Sequence, residues 1–304
     1  MIILRHPKLI AFTFDDGPSP YTGMLLDGLR DRGAAATFFM TGENGTGGTC
    51  GIKNGYETLL ARMWEEGHQL ANHTCRHADF QSLTEEEIAS ETAGVERLIF
   101  EAAGGDFRCF VRTPGGVVNE TVSRSVNAPI IRWSVDPTDW KHRDAELVYN
   151  SLLSHAKDRS IVLLHDIYVT SVEAALRAID TLGKQGFTFV TVADLLRRTG
   201  VRPVNGTVYS KGGGKRFPLP AYRAPHVVLK KRNTLKITCS VPPGLSLYYT
   251  TDGSYPRLSS HQYDGPVIVE QGTVFTVIGV DEWGTRTPPA VIRADKDKGW
   301  FFNR

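Results

Sequence analysis

The sequence contains no run of about 18 consecutive apolar residues, so nothing in it reads as a membrane-spanning helix. It also lacks an excess of either charge, with 35 Lys and Arg against 33 Asp and Glu and a net charge of +2. That balance offers no basic stripe for nucleic acid and no polybasic surface for anionic lipid. Cysteine is scarce and unpatterned. Cys50, Cys75, Cys109 and Cys239 show no CxxC spacing, which argues against a structural zinc knuckle. Reduced thiols and a disulfide such as Cys50 to Cys109 both stay open. The opening MIILRHPKLIAF is broken by Arg5, His6 and Lys8, too early for the apolar core of a secretory leader. What is present is ordinary for a globular chain: 304 residues, 41% apolar and 22% charged, enough for one large α/β domain or two domains.

Up to residue 200, short apolar runs alternate with amphipathic stretches. KLIAFTF (8–14), AAATFFMTG (34–42), HQLANH (68–73), FRCFVRT (107–113), PIIRWSV (129–135), SIVLLH (160–165) and FTFVTV (187–192) read as strands. Residues 84–103 read as a helix opened by a capping box, Thr84 with Glu87. Alternation of this kind predicts parallel βαβ units, and continuous apolar strands predict a sheet covered on both faces. An α/β fold is therefore expected over residues 1–200, as a closed or partly closed β/α barrel with its site at the C-terminal ends of the strands. Residues 201–223 are rich in Gly, Pro and basic side chains and read as a linker. From 224 to 295, alternating runs punctuated by turn residues predict a small all-β sandwich, and 296–304 reads as a tail.

The stretch FTFDDGPSP (12–20) ends an apolar strand on two adjacent carboxylates, Asp15 and Asp16. Asp-Gly-Pro is turn chemistry, and a turn former is the bland reading of both acids. The other strand ends weaken it. They supply His73 and His77 in NHTCRH, Arg112 in RTPGG, Asp136, Asp139 and Trp140 in DPTDW, and His165 in LLHD. In a β/α barrel these positions converge on one mouth. Histidines four residues apart can face one ion. With one carboxylate they form an open three-ligand set suited to a catalytic Zn²⁺ carrying a water. An ion there would also cancel the repulsion between neighbouring acids.

Five segments in order, TFDDGP (13–18), HTCRH (73–77), RTPGG (112–116), DPTDW (136–140) and LLHD (163–166), resemble the motifs of the polysaccharide deacetylases of carbohydrate esterase family four. The resemblance covers about residues 8–200. It implies a distorted (β/α) barrel of seven or eight units and metal-dependent removal of acetyl groups from a sugar polymer. By resemblance, Asp16, His73 and His77 hold a divalent metal, zinc first and cobalt as the alternative. Asp15 is then the general base, Arg112 its partner, His165 the general acid and Asp139 the carboxylate that orients it. Gly115 would donate a backbone N–H to the oxyanion, and Trp140 and Leu163 would wall the acetyl-methyl pocket. One departure stands out: family members often carry an aromatic residue where this chain has Gly115.

Residues 248–284 resemble the small C-terminal sandwich of some chitobiases, implying an immunoglobulin-like module. It would act as a spacer or, through Tyr255, Tyr263 or Trp283, as a polymer platform; aromatics in a sandwich are more often core, which favours the spacer. Three functions follow. The leading one is removal of N-acetyl groups from N-acetylglucosamine in peptidoglycan or chitin-type polymers. The others are an acetyl-xylan O-esterase and a non-catalytic carbohydrate-binding protein on a decayed scaffold. Binding alone does not need Asp15, Arg112 and His165 together, which argues against decay. The partner implied is an N-acetylated polysaccharide or oligosaccharide, with no nucleic acid and no membrane span. A monomer acting outside the cell or at its wall is expected from that substrate class.

Overall fold

The computed structural model describes residues 7–43, 51–214, 219–231, 234–295 and 301–302. The chain divides into two compact units, Met1–Ala102 with Cys109–Pro220, and Ala103–Arg108 with Ala221–Arg304. The first runs β1 (Lys8–Asp15), α1 (Thr22–Asp31), β2 (Thr37–Met40), α2 (Glu57–Glu65), β3 (Gln69–Asn72), α3 (Glu85–Ala103), α4 (Glu120–Ser125) and β4 (Ile130–Ile131). It continues through α5 (Asp139–His142), α6 (Ala145–His155), β5 (Ile161–His165), α7 (Val169–Lys184), β6 (Phe187–Phe189), α8 (Val192–Arg198) and β7 (Val208–Tyr209).

β1 is the centre of this α/β unit. Every residue after Lys8 is buried, as a parallel strand covered on both faces requires. The parallel order is β3-β2-β1-β5, with β6 paired to the start of β1. Single bridges extend the ladder: Val111 joins Asn72 to Ile130, and Val135 joins Val162. The predicted strand at 107–113 is thus reduced to one bridging residue. The predicted strand at 129–135 is cut short because Ser134 and Val135 both donate to Ile161 O, at 2.9 and 3.2 Å, the two-against-one pairing of a bulge. α3 starts where the capping box placed it. Thr84 N–H donates to Glu87 Oε2 at 2.9 Å, and Glu87 N–H to Thr84 Oγ1 at 3.3 Å.

Of the stretch 201–223, expected as a linker, the described residues 201–214 and 219–220 belong to the first unit. β7 pairs with β4, Gly213 N–H donates to Thr199 Oγ1 at 2.8 Å, and Leu219 N–H donates to Arg198 O at 2.7 Å. Glycine here serves close approach, since a Cβ on Gly213 would meet Thr199 O at 2.7 Å.

The second unit holds β8 (His226–Lys231), β9 (Leu235–Ser240), β10 (Ser246–Thr250), β11 (His261–Gln262), β12 (Val267–Val269), β13 (Val274–Val280), β14 (Ala290–Arg293) and β15 (Phe301–Phe302). These form two antiparallel sheets, β11-β10-β13-β14-β15 and β12-β9-β8. Val227 and Ile237 from one sheet and Phe275, Val277 and Ile292 from the other share one apolar cluster. Tyr263 packs against that cluster and accepts the Cys239 N–H at 3.0 Å. Trp283 is buried, with the Arg108 guanidinium 4.3 Å from its ring. Of the expected tail, only 301–302 fall among the described residues, as β15. Cys109 carries a free, buried thiol, so the Cys50 to Cys109 disulfide is not made; Cys50 itself lies outside the described residues. Among the described residues no helix is long and apolar enough to cross a membrane.

Candidate active site

Strand register assembles the site. Asp15 is paired with Phe39 on β2 and with His165 on β5, so two of the predicted residues meet simply because three parallel strands end together. Asp16 then turns away with φ +71, a left-handed backbone that aspartate adopts more readily than most residues. The turn continues through Gly17, where a Cβ would collide with the carboxylate of Asp166. That carboxylate is fully buried and accepts the Thr22 hydroxyl, while Ser19 Oγ donates to Asp166 O at 2.7 Å. Burial lifts the Asp166 pKa to about 7, against the lowering effect of the Thr22 bond.

Asp16 Oδ1 lies 3.4 Å from both His73 Nε2 and His77 Nε2, and donor atoms of the three residues all fall within 4.8 Å of one another. His73 Nδ1 is 2.7 Å from Arg112 O. A carbonyl only accepts, so Nδ1 carries the proton and the Nε2 lone pair faces Asp16. Burial holds the His73 pKa below its ordinary value, although Asp15 and Asp16 pull the other way. One carboxylate and two imidazoles are a donor set that fits a divalent ion such as zinc or cobalt.

Beside this triad, Arg112 Nη1 donates to Asp15 Oδ1 and to Thr13 Oγ1, each at 2.7 Å. Arg112 and Asp15 are both buried, and the guanidinium lies 4.1 Å from the centre of the Phe39 ring. On the other side, Asp139 Oδ1 is 2.9 Å from His165 Nδ1, and Asp139 Oδ2 accepts the His165 N–H at 2.8 Å. Burial alone would lower the His165 pKa. The hydrogen bond and charge of Asp139, with the charges of Asp15 and Asp16, outweigh it and raise the value to about 9.

A cavity of about 370 Å³ opens on these groups. Asp15, Asp16, His73, His77, Gly115, Trp140, Leu163 and His165 line it, while Arg112 and Asp139 stand behind Asp15 and His165. Leu163 is buried, whereas Trp140 is 49% exposed and so walls the mouth rather than the floor. Thr113, Gly116, Trp133 and Asp136 line the cavity too, with no role assigned from sequence. Trp133 sits in an apolar strand segment and reads there as core. The available signal was the second glycine of RTPGG: a Cβ on Gly116 would come within 2.8 Å of the Trp133 ring.

Residues 5–129 match the family described as polysaccharide deacetylase, and residues 229–291 the chitobiase/beta-hexosaminidase C-terminal domain. Peptidoglycan-N-acetylglucosamine deacetylase PgdA of Listeria monocytogenes is 37% identical over 189 residues, 62% of this chain and 39% of that protein. The chain thus spans about two fifths of that relative's length. A peptidoglycan-N-acetylglucosamine deacetylase of Bacillus cereus is 36% identical over 202 residues, 64% of this chain and 90% of that one. Among solved structures, a T48 deacetylase with substrate superposes with a TM-score of 0.61 at 37% identity, covering 67% of this chain and 97% of the other. A family 4 acetyl xylan esterase from Clostridium thermocellum, in complex with a cobalt ion, superposes with a TM-score of 0.61 at 26% identity, covering 67% and 98%.

Proposed function

The chain belongs to the polysaccharide deacetylases of carbohydrate esterase family four, and from that premise we propose that its first unit removes N-acetyl groups from N-acetylglucosamine-containing glycans of the peptidoglycan or chitin type, releasing acetate. The observation that carries this reading is one cavity bounded by Asp16, His73 and His77, by Asp15 tied to Arg112, and by His165 tied to Asp139. A divalent ion held by Asp16, His73 and His77 would supply Lewis acidity, polarising the acetyl carbonyl and lowering the pKa of water from about 16 towards about 7.

The side chains do the rest. Asp15, hydrogen-bonded by the Arg112 guanidinium, takes the proton of the attacking water. Negative charge then grows on the former carbonyl oxygen. Gly115 N–H is the donor for it, since the next two amides, of Gly116 and Val117, are committed to Thr113 O at 2.9 Å and Pro114 O at 3.3 Å. His165, proton-loaded through Asp139, gives its proton to the nitrogen as the carbon–nitrogen bond breaks, so the sugar leaves as an amine and acetate remains. Leu163 and Trp140 flank the methyl group. His165 thus starts protonated, which is what its pairing with Asp139 favours.

The same groups would hydrolyse an O-acetyl ester, and the likeness to an acetyl xylan esterase supports that as the second reading. We read the pairings from β1 round through Val111, β4 and Val135 to β5 as the distorted barrel, and the second unit as an immunoglobulin-like spacer. Tyr263 and Trp283, packed into that unit, support the spacer over a platform. A monomer acting outside the cell or at its wall follows from the proposed substrate. Acetate release from chitin oligomers, peptidoglycan and acetylated xylan, assayed in parallel, tests the reading. N-acetylated substrates are expected to turn over faster. Release from xylan alone would replace N-deacetylation by the esterase, and release from none would revive the decayed scaffold.

A further inference from the structure

One fully enclosed acid of the first unit takes no part in the chemistry above and lies outside all five motifs. Glu91, on α3, is 2% exposed. Its Oε1 accepts Arg76 Nε at 2.7 Å and its Oε2 accepts the Arg76 backbone N–H at 2.8 Å. Its main-chain O accepts the Cys75 N–H at 2.9 Å. The preceding amide, of Thr74, donates to Asn72 Oδ1 at 2.8 Å, and Asn72 Nδ2 in turn donates to Thr92 O at 2.8 Å. Three successive amides between His73 and His77 are therefore fastened to α3, two by Glu91 itself and one through Asn72.

The loop has reason to be fastened. Thr74 at φ +72 and His77 at φ +54 both sit in the left-handed region, which side chains with a Cβ disfavour and which persists where surroundings over-determine it. Relaxation of either residue would rotate the chain between the two imidazoles and carry His77 Nε2 away from its 3.4 Å approach to Asp16. His73 has an independent hold, through Nδ1 on Arg112 O. A carboxylate enclosed to this degree is unfavourable unless its oxygens are satisfied. Both are satisfied by the loop that carries the ligands.

We infer that Glu91 is a positioning residue for the metal centre: its carboxylate captures the Arg76 amide and Nε, beside the main-chain hold on the Cys75 amide, and so sets the backbone that aims His77 at Asp16. The inference rests on the reading of Asp16, His73 and His77 as the ligand set. It concerns affinity for the ion rather than the reaction, because Glu91 is not among the residues that line the cavity.

The test uses the full chain with Glu91→Ala and Glu91→Gln. Zn²⁺ affinity is measured by competition with a chromogenic chelator, beside the melting temperature of the metal-free protein and acetate release at saturating zinc. Glu91→Ala is expected to weaken zinc binding by about 10- to 100-fold, the range found when groups supporting a metal ligand are removed. Glu91→Gln should weaken it less, because its amide oxygen still accepts the Arg76 N–H. Turnover at saturating zinc should stay close to that of the parent protein. Parent-like zinc affinity in both variants, with only a lower melting temperature, overturns the inference and leaves Glu91 as packing between helix and loop. If Glu91→Ala does not fold, Glu91→Gln decides alone, by weakened or unchanged affinity. A parent protein that binds no zinc fails the ligand-set reading first, a result distinct from parent-like variants of a protein that does.

Discussion

At the scale of single residues, the two neighbouring acids of FTFDDGPSP differ in backbone, and the different work proposed for them rests on that difference. Asp15 ends β1 in regular register, and its carboxylate is drawn inward to Arg112; Asp16 is left-handed and its carboxylate faces the histidines. Asp16→Asn should weaken metal binding, with excess zinc restoring part of the activity. Asp15→Asn should keep the metal yet cut turnover by on the order of 10²–10⁴ through loss of the base. It should also lower stability by a few kcal/mol, on the order of 3–5, because the Arg112 charge is left enclosed without its partner. Metal content, acetate release and a melting curve on both variants check this; an Asp15→Asn protein that loses its metal while Asp16→Asn keeps it reverses the assignment. His165 gives a pH prediction. Its pKa stands near 9 chiefly because Asp139 overrides burial, so the acid it provides is spent as pH rises towards that value. A bound cation would oppose the shares of Asp15 and Asp16 but not that of Asp139. Asp139→Asn should therefore move the alkaline limb of the kcat profile to lower pH, and an unmoved limb would remove His165 from the role of acid.

At the scale of elements, the reading depended on what each segment shows of itself. Strand ends were legible because an apolar run that stops on Asp, His or Arg announces itself in one dimension. The cap of α3 was legible because Thr84 and Glu87 are three residues apart. The bulge at Ser134 and Val135 was not, since it is decided by Ile161 across the sheet. The composition of 201–223 did not show that Gly213 is glycine for a contact with Thr199, which nothing local reveals. Glu91 and Asp166 were silent for the same reason: an acid on a helix or after a strand reads as solvated until the loop packed on it is known. Asp166 supports the turn that carries Asp16, and its burial yields a stability prediction. Its folded pKa of about 7 lies above the ordinary 3.8. The favourable protonated state is fully present below pH 4, and its contribution is lost as pH rises towards 7. Asp166→Asn keeps an acceptor for Thr22 without that loss. Its melting temperature relative to the parent should therefore rise between pH 4 and pH 8; a difference flat across that range would mean Asp166 is ionised throughout.

At the scale of the whole molecule, every group assigned to the chemistry belongs to the first unit. An ion held by Asp16, His73 and His77 is proposed to make this cavity an N-deacetylase. Acetate released from an N-acetylglucosamine oligomer by the full chain tests it most directly, assayed as prepared, after stripping with chelator, and after return of one equivalent of Zn²⁺ or Co²⁺. Release should vanish on stripping and return with either ion, together with a free amine on the sugar for each acetate. Undiminished release from metal-free protein, or none from the reloaded protein, would contradict it.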